Sequence, residues 1–315
     1  MVRGENRVTR RQCLTLLAGA AATTLTPGFC RAESEKRLLR LAVSADTLAG
    51  ANLADARTAY QVWIDTAFHQ FGQATADVVP GIFLASAELI REVRQGRIES
   101  YVSTAQEFSV LGDLTDPAAI VVQDYLADGM EYLLLVHKDG PYKKLADLRG
   151  ARLVSHQHRD MILLSVWLGT LLAASGLPTP DHLFASQTRQ SSVTRVILPV
   201  FFRHADAACV ARRDWNTAVE LNPQMGRDLR ILAVSPKVIP VAVGVRRNSN
   251  ATARATLLDS LVSISKVRAG QQIASLFDAR VLLARPFSAM KDTLEMVHRF
   301  EQLNGQQAGP RKGEG

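Results

Sequence analysis

The chain has few cysteines and lacks a long apolar segment in its body. Of its three cysteines, Cys13 and Cys30 lie in or beside the N-terminal segment, and Cys209 alone falls later. A body with one cysteine forms no internal disulfide, so packing must stabilise its fold. No uncharged apolar window of about 18 residues follows the N-terminus, which predicts a body that does not span a membrane.

Familiar catalytic signatures are also missing. The sequence contains no G-x-S-x-G elbow, no H-E-x-x-H, no P-loop and no G-x-G-x-x-G. Histidine, serine and aspartate are all present, but any chain of this length offers such triplets. The sequence therefore favours a binding protein over an enzyme and indicates no cofactor.

The N-terminus has the pattern of an export signal. Four arginines within the first eleven residues precede an Ala/Thr-rich run at 13–26, and Ala32 ends a small-residue cleavage site. Residues 1–32 are therefore predicted to be a signal peptide, cleaved near Ala32, that sends the protein to the periplasm. The pair Arg10-Arg11 resembles the twin-arginine signal, although the general export route stays open because arginine pairs are common in basic leaders.

Two further interpretations of this segment are disfavoured. Lipidation of Cys30 is disfavoured because Phe29 precedes it, where a lipobox has Gly, Ala or Ser. The segment holds five arginines and one acid, so its removal lowers the formal net charge from +7 to +3. The basic balance therefore does not indicate a nucleic-acid partner.

The body alternates short apolar runs with helical patterns, which is typical of an α/β sheet built from crossover units. The safest helix carries an apolar stripe that includes Tyr60 and Ile64. Predicted strands cover 38–43, 76–80, 98–102, a run ending near Ser155, 205–210, 229–234 and 238–245. Predicted helices cover 87–95, 160–175, 191–202 and the chain from 251 onward.

Three motifs resemble one known family. They are K-K-L-A-D-L-R-G-A-R-L-V-S at 143–155, R-H-A-D-A-A-C-V at 203–210 and E-L-N-P-Q-M-G-R-D-L-R-I-L-A-V-S-P at 220–236. In this order they resemble the phosphate/phosphonate (PhnD-like) branch of the periplasmic substrate-binding proteins of ABC transporters. The N-terminal half is similar more loosely, through R-Q-G-R-I-E-S-Y-V-S-T at 94–104.

The resemblance implies an α/β, type 2 periplasmic binding fold. Each of two lobes would have a central mixed sheet flanked by helices, and a two-strand hinge would join them. Lobe one would comprise residues 33–135 and 240–304, and lobe two residues 136–239. The crossings are expected near Glu131 to His137 and Val238 to Val245, and residues 305–315 are expected to form a disordered tail.

Ligands of open α/β lobes bind beyond the carboxyl ends of strands, where helix N-termini present free N–H groups. In lobe one this rule selects Ser44 after the first strand, Ser86 before a helix, and Ser103 and Thr104 after the third strand. Hydroxyls beside exposed amides suit an oxyanion. Ordinary helix capping explains any one of these residues as well.

In lobe two the same rule selects the segment Ser155, His156, Gln157, His158 and Arg159. Arginine can grip an oxyanion with two hydrogen bonds, and imidazoles can donate to it. Relatives carry a Ser/Thr-rich stretch here, so the oxyanion need not be a phosphonate. Side chains that simply face solvent remain an alternative, and a metal at the two histidines lacks further ligands at recognisable spacing.

A second candidate in lobe two is Gln187, which precedes a predicted helix. Together these residues predict capture of a small anionic ligand, a phosphonate, phosphate or related oxyanion, for an inner-membrane ABC importer. The alternative is a ligand-sensing protein that reports to a membrane histidine kinase or diguanylate cyclase. Both hypotheses use the same cleft, and we expect a monomer.

Overall fold

The computed structural model describes residues 39–48, 52–70, 78–263, 266, 271 and 281–307. The predicted signal peptide and its arginine pair lie outside the described residues. None of the helices in the described ranges is both long and apolar enough to cross a membrane.

The described strands form two separate mixed sheets. In the first sheet the spatial order is β11-β4-β10-β3-β1-β2, and in the second it is β7-β6-β8-β5-β9. The first sheet contains β1 (Leu39–Ser44), β2 (Val78–Phe83), β3 (Ser100–Thr104), β4 (Ile120–Gln123), β10 (Val241–Val245) and β11 (Leu282–Arg285). The second contains β5 (Tyr132–His137), β6 (Arg152–His156), β7 (Ser186–Gln190), β8 (Ala207–Ala211) and β9 (Leu229–Val234).

Both sheets share one design. In the first, β1 is parallel to β2 and β3, and β10 runs antiparallel beside β3. In the second, β6 is parallel to β7 and β8, and β5 runs antiparallel beside β8. Because parallel strands end at one edge of a sheet, the loops after β1 and β3 meet, and so do the loops after β6 and β8.

Helices cover these sheets. They are α1 (Leu53–Gln70), α2 (Ser86–Arg94), α3 (Ala105–Leu111), α4 (Leu164–Ala174), α5 (Pro180–Leu183), α6 (Val193–Phe201), α7 (Arg212–Leu221), α8 (Pro223–Asp228), α9 (Ala251–Ser263) and α10 (Lys291–Gln307). We call the first sheet with α1–α3, α9 and α10 lobe one, and the second sheet with α4–α8 lobe two.

The last helix joins the two lobes by packing. Helix α10 packs against α3 in lobe one and α4 in lobe two. Helix α4 has a nearly continuous apolar sequence, and its Trp167 is 2% exposed. Because Gly169 of α4 has no side chain, the Phe300 ring of α10 packs directly against its backbone. A β-carbon on residue 169 would lie 2.5 Å from Cε2 of that ring. One hydrophobic cluster consequently runs through both lobes.

Two backbone segments connect the lobes, at residues 127–131 and 235–240. They pair with each other, since the N–H of Met130 donates to the carbonyl of Val238 at 2.9 Å and Val238 donates back at 2.8 Å. At the end of the first segment, Glu131 forms an ion pair with Arg212. The paired segments fix where the lobes meet.

The α/β class with two mixed sheets is confirmed, but several boundaries differ from prediction. The expected crossings overlap the observed connecting segments only at Glu131 and at 238–240, because 132–137 is the sheet strand β5 and 241–245 is the sheet strand β10. The C-terminal region is not wholly helical, since β11 pairs with β4. Helix α10 continues to Gln307, so the expected tail does not begin at 305, and residues 308–315 lie outside the description.

Two helix starts also differ from the sequence prediction. Ser86 is the first residue of α2 and not its cap, because Ala85 occupies the N-cap position and Ser86 bonds elsewhere. The long helix expected from 160 is divided into a 3-10 turn at Arg159–Met161 and α4 from Leu164. This division places the turn in the loop that follows β6, with Asp160 and Met161 buried.

Candidate functional site

A cavity of about 300 Å³ lies between the two lobes. One lining residue belongs to lobe two: Ile162, which directly follows the 3-10 turn. The others belong to lobe one, at the end of β3 or in the turns and helices that follow β1, β2 and β3: Asp46, Ser86, Ile90, Thr104, Gln106 and Glu107. The cavity therefore lies beyond the carboxyl ends of β1 and β3, where the open-sheet rule places a ligand.

Glu107 is the most tightly held group of the cavity wall. Its carboxylate accepts hydrogen bonds from the Ser44 hydroxyl at 2.7 Å and from the Thr104 N–H at 2.8 Å. The Thr104 hydroxyl lies 3.2 Å from the same carboxylate and accepts from the Glu107 N–H at 3.3 Å. Thr104 and Glu107 thus form a capping box at the start of α3, and Ser44 joins it from β1.

The Ser86 hydroxyl, like that of Ser44, donates to a carboxylate of lobe one. It donates to Asp46 Oδ2 at 2.9 Å, which links α2 to the turn after β1. Three of the hydroxyls that the sequence predicts for an anionic ligand, Ser44, Ser86 and Thr104, therefore bond to carboxylates of the protein itself. Among the described residues, those that line the cavity include no lysine or arginine.

Ser103 is not part of the cavity wall. It lies in β3 opposite Ala242 of β10 and is 0% exposed. Its side chain points to the opposite face of the strand from that of Thr104. The placement argues against its predicted contact with a ligand.

In lobe two, the loops after β6 and β8 bring four charged or ionisable side chains together. His156 ends β6, and its Nδ1 lies 3.1 Å from Oδ2 of Asp214 in the first turn of α7. The rings of His156 and His158 stack with centroids 5.4 Å apart. His158 Nδ1 in turn lies 3.4 Å from Oδ2 of Asp160. Each imidazole therefore has a carboxylate partner.

Asp160 organises this cluster. It is 4% exposed and accepts from the Tyr125 hydroxyl at 3.0 Å and from Nη2 of Arg213 at 3.4 Å. Burial works to raise the pKa of Asp160, but the hydrogen bond and charge of His158, with help from Tyr125 and Arg159, hold that pKa below its usual value. The hydrogen bond to Asp160 raises the pKa of His158 against the opposing effect of burial.

Arg213 and Tyr125 complete the cluster from outside the predicted loop. The Arg213 guanidinium carbon lies 4.3 Å from the centroid of the Tyr125 ring, a cation–π geometry. Tyr125 belongs to the 3-10 turn after β4, at the start of the path from lobe one to lobe two. The side chain of Arg213 is 52% exposed, so its charge is accessible to a ligand.

Of the remaining predicted residues, Ser155 and Gln157 bond away from the cluster, and Arg159 lies beside it. Ser155 is buried in β6 and its hydroxyl reaches the Thr188 carbonyl at 3.4 Å. Gln157 is exposed and its backbone N–H donates to the Gln190 carbonyl at 2.8 Å. Arg159 Nε lies 3.8 Å from Asp160 Oδ1.

The sequence predicted Gln187 in a loop before a helix, but the structure places it in a strand. It is an exposed residue of the edge strand β7, and its amide donates to Asp181 at 2.7 Å. Its run Ser-Gln-Thr-Arg-Gln is polar throughout, because the side chains of this edge strand face solvent. This strand placement contradicts the predicted loop and removes the reason for a ligand contact.

Sequence reasoning missed Asp46, Glu107 and Arg213, although each of them had a signal. Asp46 follows β1, Arg213 follows β8, and Thr104 with Glu107 has the spacing of a capping box. The contact of Tyr125 with Asp160 could not be predicted, because it joins residues 35 positions apart in the chain. Within the described ranges, no three His, Cys, Asp or Glu side chains are arranged to hold a metal ion.

Comparison with known proteins agrees with this architecture. A family model described as the phosphonate periplasmic substrate-binding protein of an ABC transporter matches residues 73–282, two thirds of the 315-residue chain. No curated protein matches the chain.

Three solved structures are similar in fold. A binding-protein component of an ABC phosphonate transporter from Pseudomonas aeruginosa has a TM-score of 0.53 at 13% identity, covering 88% of this chain and 91% of that one. A Xanthomonas citri protein bound to ATP has a TM-score of 0.56 at 15% identity, with coverage of 85% and 98%. PhnD1 from Prochlorococcus marinus, in complex with methylphosphonate, has a TM-score of 0.53 at 14% identity, with coverage of 85% and 99%.

The two-sheet fold and the cavity between its halves define a type 2 periplasmic binding protein. The chain belongs to the family of phosphonate periplasmic substrate-binding proteins of ABC transporters. Members of this family are transport components that bind a small molecule and work with a membrane permease.

Proposed function

We propose that this protein captures a small oxyanion between its lobes in the periplasm and presents it to an ABC importer. The observation that carries the proposal is the lobe-two cluster. His156, His158, Arg159 and Arg213 meet at the carboxyl ends of neighbouring parallel strands, next to a cavity that Ile162 shares with lobe one. Guanidinium and imidazole groups are the side chains that hold phosphonate, phosphate and carboxylate groups.

Carboxylates of the protein face the basic side chains of this cluster. Asp214 faces His156, and Asp160 accepts from Arg213 at its exposed edge. The Arg213 guanidinium has five N–H donors in a fixed planar fork, and the ion pair with Asp160 uses a single Nη2 contact at 3.4 Å. Donors on its exposed side would be available to a ligand oxyanion.

Closure would enclose the ligand as the paired connecting segments bend. This proposal is supported by the two-segment connection at Met130 and Val238, a geometry that permits hinge motion of two lobes. Export through residues 1–32, along the twin-arginine route that Arg10 and Arg11 suggest, would deliver the mature chain from Glu33 onward.

Thermal unfolding of residues 33–315 tests the proposal against a panel of phosphonates, phosphate, phosphite, sulfonates, carboxylates and amino acids. A ligand that binds only the folded state, present at about 100 times its dissociation constant, adds roughly 2.7 kcal/mol to the free energy of unfolding. For a chain of this size that is a shift of a few degrees. A shift with one anion class supports the proposal, and no shift with any anion contradicts it.

A sensory role would use the same cavity and give the same shift. Genes for a permease and an ATPase beside this gene would support import. A gene for a membrane histidine kinase or diguanylate cyclase in their place would instead support sensing.

A further inference from the structure

The lobe-one wall of the cavity carries carboxylates, whereas a receptor for anions is expected to carry basic groups or free hydrogen-bond donors. Asp46 and Glu107 line it, and their carboxylates accept the hydrogen bonds of Ser86, Ser44 and Thr104. A ligand oxyanion that used these donors would have to displace a carboxylate and then lie beside it. Like charges at such short range oppose binding strongly, because the wall of a closed cleft excludes water.

Lobe two contributes Ile162 to the lining of the cavity, and its basic groups lie in the loops after β6 and β8. His156 and His158 face Asp214 and Asp160, while the side chain of Arg213 is half exposed. If the oxyanion of a ligand binds to Arg213 and the imidazoles, as proposed above, the part of that ligand that extends into the cavity meets the carboxylates of Asp46 and Glu107. This polarity suits a molecule that carries charges of both signs.

We propose that Glu107 sets the specificity of the cavity by selecting ligands that direct an ammonium or similar cationic group toward lobe one and an oxyanion toward lobe two. The inference rests on the proposed function, since it assumes that the cavity is the binding site. Glu107 is placed for this role because it is 2% exposed and held by Ser44 and Thr104. A carboxylate with fixed neighbours cannot turn away from the ligand.

The substitution Glu107→Gln removes the charge and keeps the shape. The amide oxygen can still accept from the Thr104 N–H, and the Ser44 hydroxyl can rotate to accept from the new NH₂ group. The variant should therefore fold, which its thermal midpoint without ligand checks. Glu99→Gln is the matched control, because Glu99 is also buried in lobe one but precedes β3, at the end remote from Thr104.

The probes are methylphosphonate and aminomethylphosphonate, which differ by one ammonium group, measured by calorimetry at a pH at which both phosphonates are dianions. We expect the wild type and Glu99→Gln to prefer aminomethylphosphonate by at least about tenfold, the effect of one charge-assisted contact. In Glu107→Gln the preference should fall several-fold, mainly through tighter binding of methylphosphonate.

Each contrary outcome is distinct. If the wild type binds both probes equally, or if Glu107→Gln keeps the full preference, Glu107 does not set the specificity of the cavity. The proposed binding function would be unaffected by either result. If neither probe nor any other anion binds the wild type, the proposed function fails, and this inference fails with it.

Discussion

The contact between the last helix and lobe two can be tested by the substitution Gly169→Ala. A β-carbon at this position of α4 would lie 2.5 Å from Cε2 and 2.9 Å from Cδ2 of Phe300. These distances are well inside van der Waals contact, so the ring of Phe300 or the whole of α10 must shift. Overpacking of this kind destabilises by about 1–3 kcal/mol.

A second effect has the opposite sign. Gly169 lies in the interior of α4, where replacing glycine by alanine favours the helix by about 1 kcal/mol. The net change in the wild-type background should therefore be a loss of up to about 2 kcal/mol. In the background Phe300→Ala the clash is absent, and the same substitution should stabilise the protein by about 1 kcal/mol.

Urea unfolding of the four proteins of this double-mutant cycle measures the interaction between the two sites. The reasoning predicts a change of sign between the backgrounds. Equal stabilisation by Gly169→Ala in both backgrounds would refute it, because the ring of Phe300 would then not be packed against the glycine.

The lobe-two cluster yields further predictions. Asp160→Asn should lower the pKa of His158, because the hydrogen bond to Asp160 is the main cause that raises it from 6.5; NMR titration of the imidazole would show no change if this is wrong. The raised pKa of His158 gives stability that is complete below its ordinary value and is lost as the pH rises through the folded value. Urea unfolding across that pH range should show this loss in the wild type and much less of it in Asp160→Asn. Arg213→Ala should weaken oxyanion binding about tenfold or more, whereas Arg227→Ala, a surface control on α8, should not; equal effects in calorimetry would exclude a specific role. His156→Ala with Arg159→Ala should abolish anion binding without unfolding the protein, and unchanged affinity would show that this loop does not contact the ligand.

Much of the fold could be predicted from apolar patterns in the sequence. Strand β8 and the helix with Tyr60 and Ile64 were predictable, because all five residues of β8 are buried and apolar and both helix residues lie on a buried apolar stripe. Strand β7 was not, since an edge strand with five polar residues has no apolar alternation. Strand β11, with four residues in a helical context, was too short to stand out.

The site was less predictable, for a physical reason. The open-sheet rule selects the strand ends at Ser44, Thr104 and His156, because it depends on chain direction alone. It does not say which side chains meet across those ends. The Ser44 hydroxyl and the Glu107 carboxylate are 63 residues apart, and their contact reverses the expected charge of the lobe-one wall.

The crystal structure of the mature protein with the anion that stabilises it most would test the central proposal directly. The account predicts the ligand in the cavity between Gln106 of lobe one and Ile162 of lobe two, with its oxyanion within hydrogen-bonding distance of Arg213 or His158. A ligand bound outside this cavity, or an oxyanion that contacts Ser44 and Thr104 with Glu107 displaced, would contradict it.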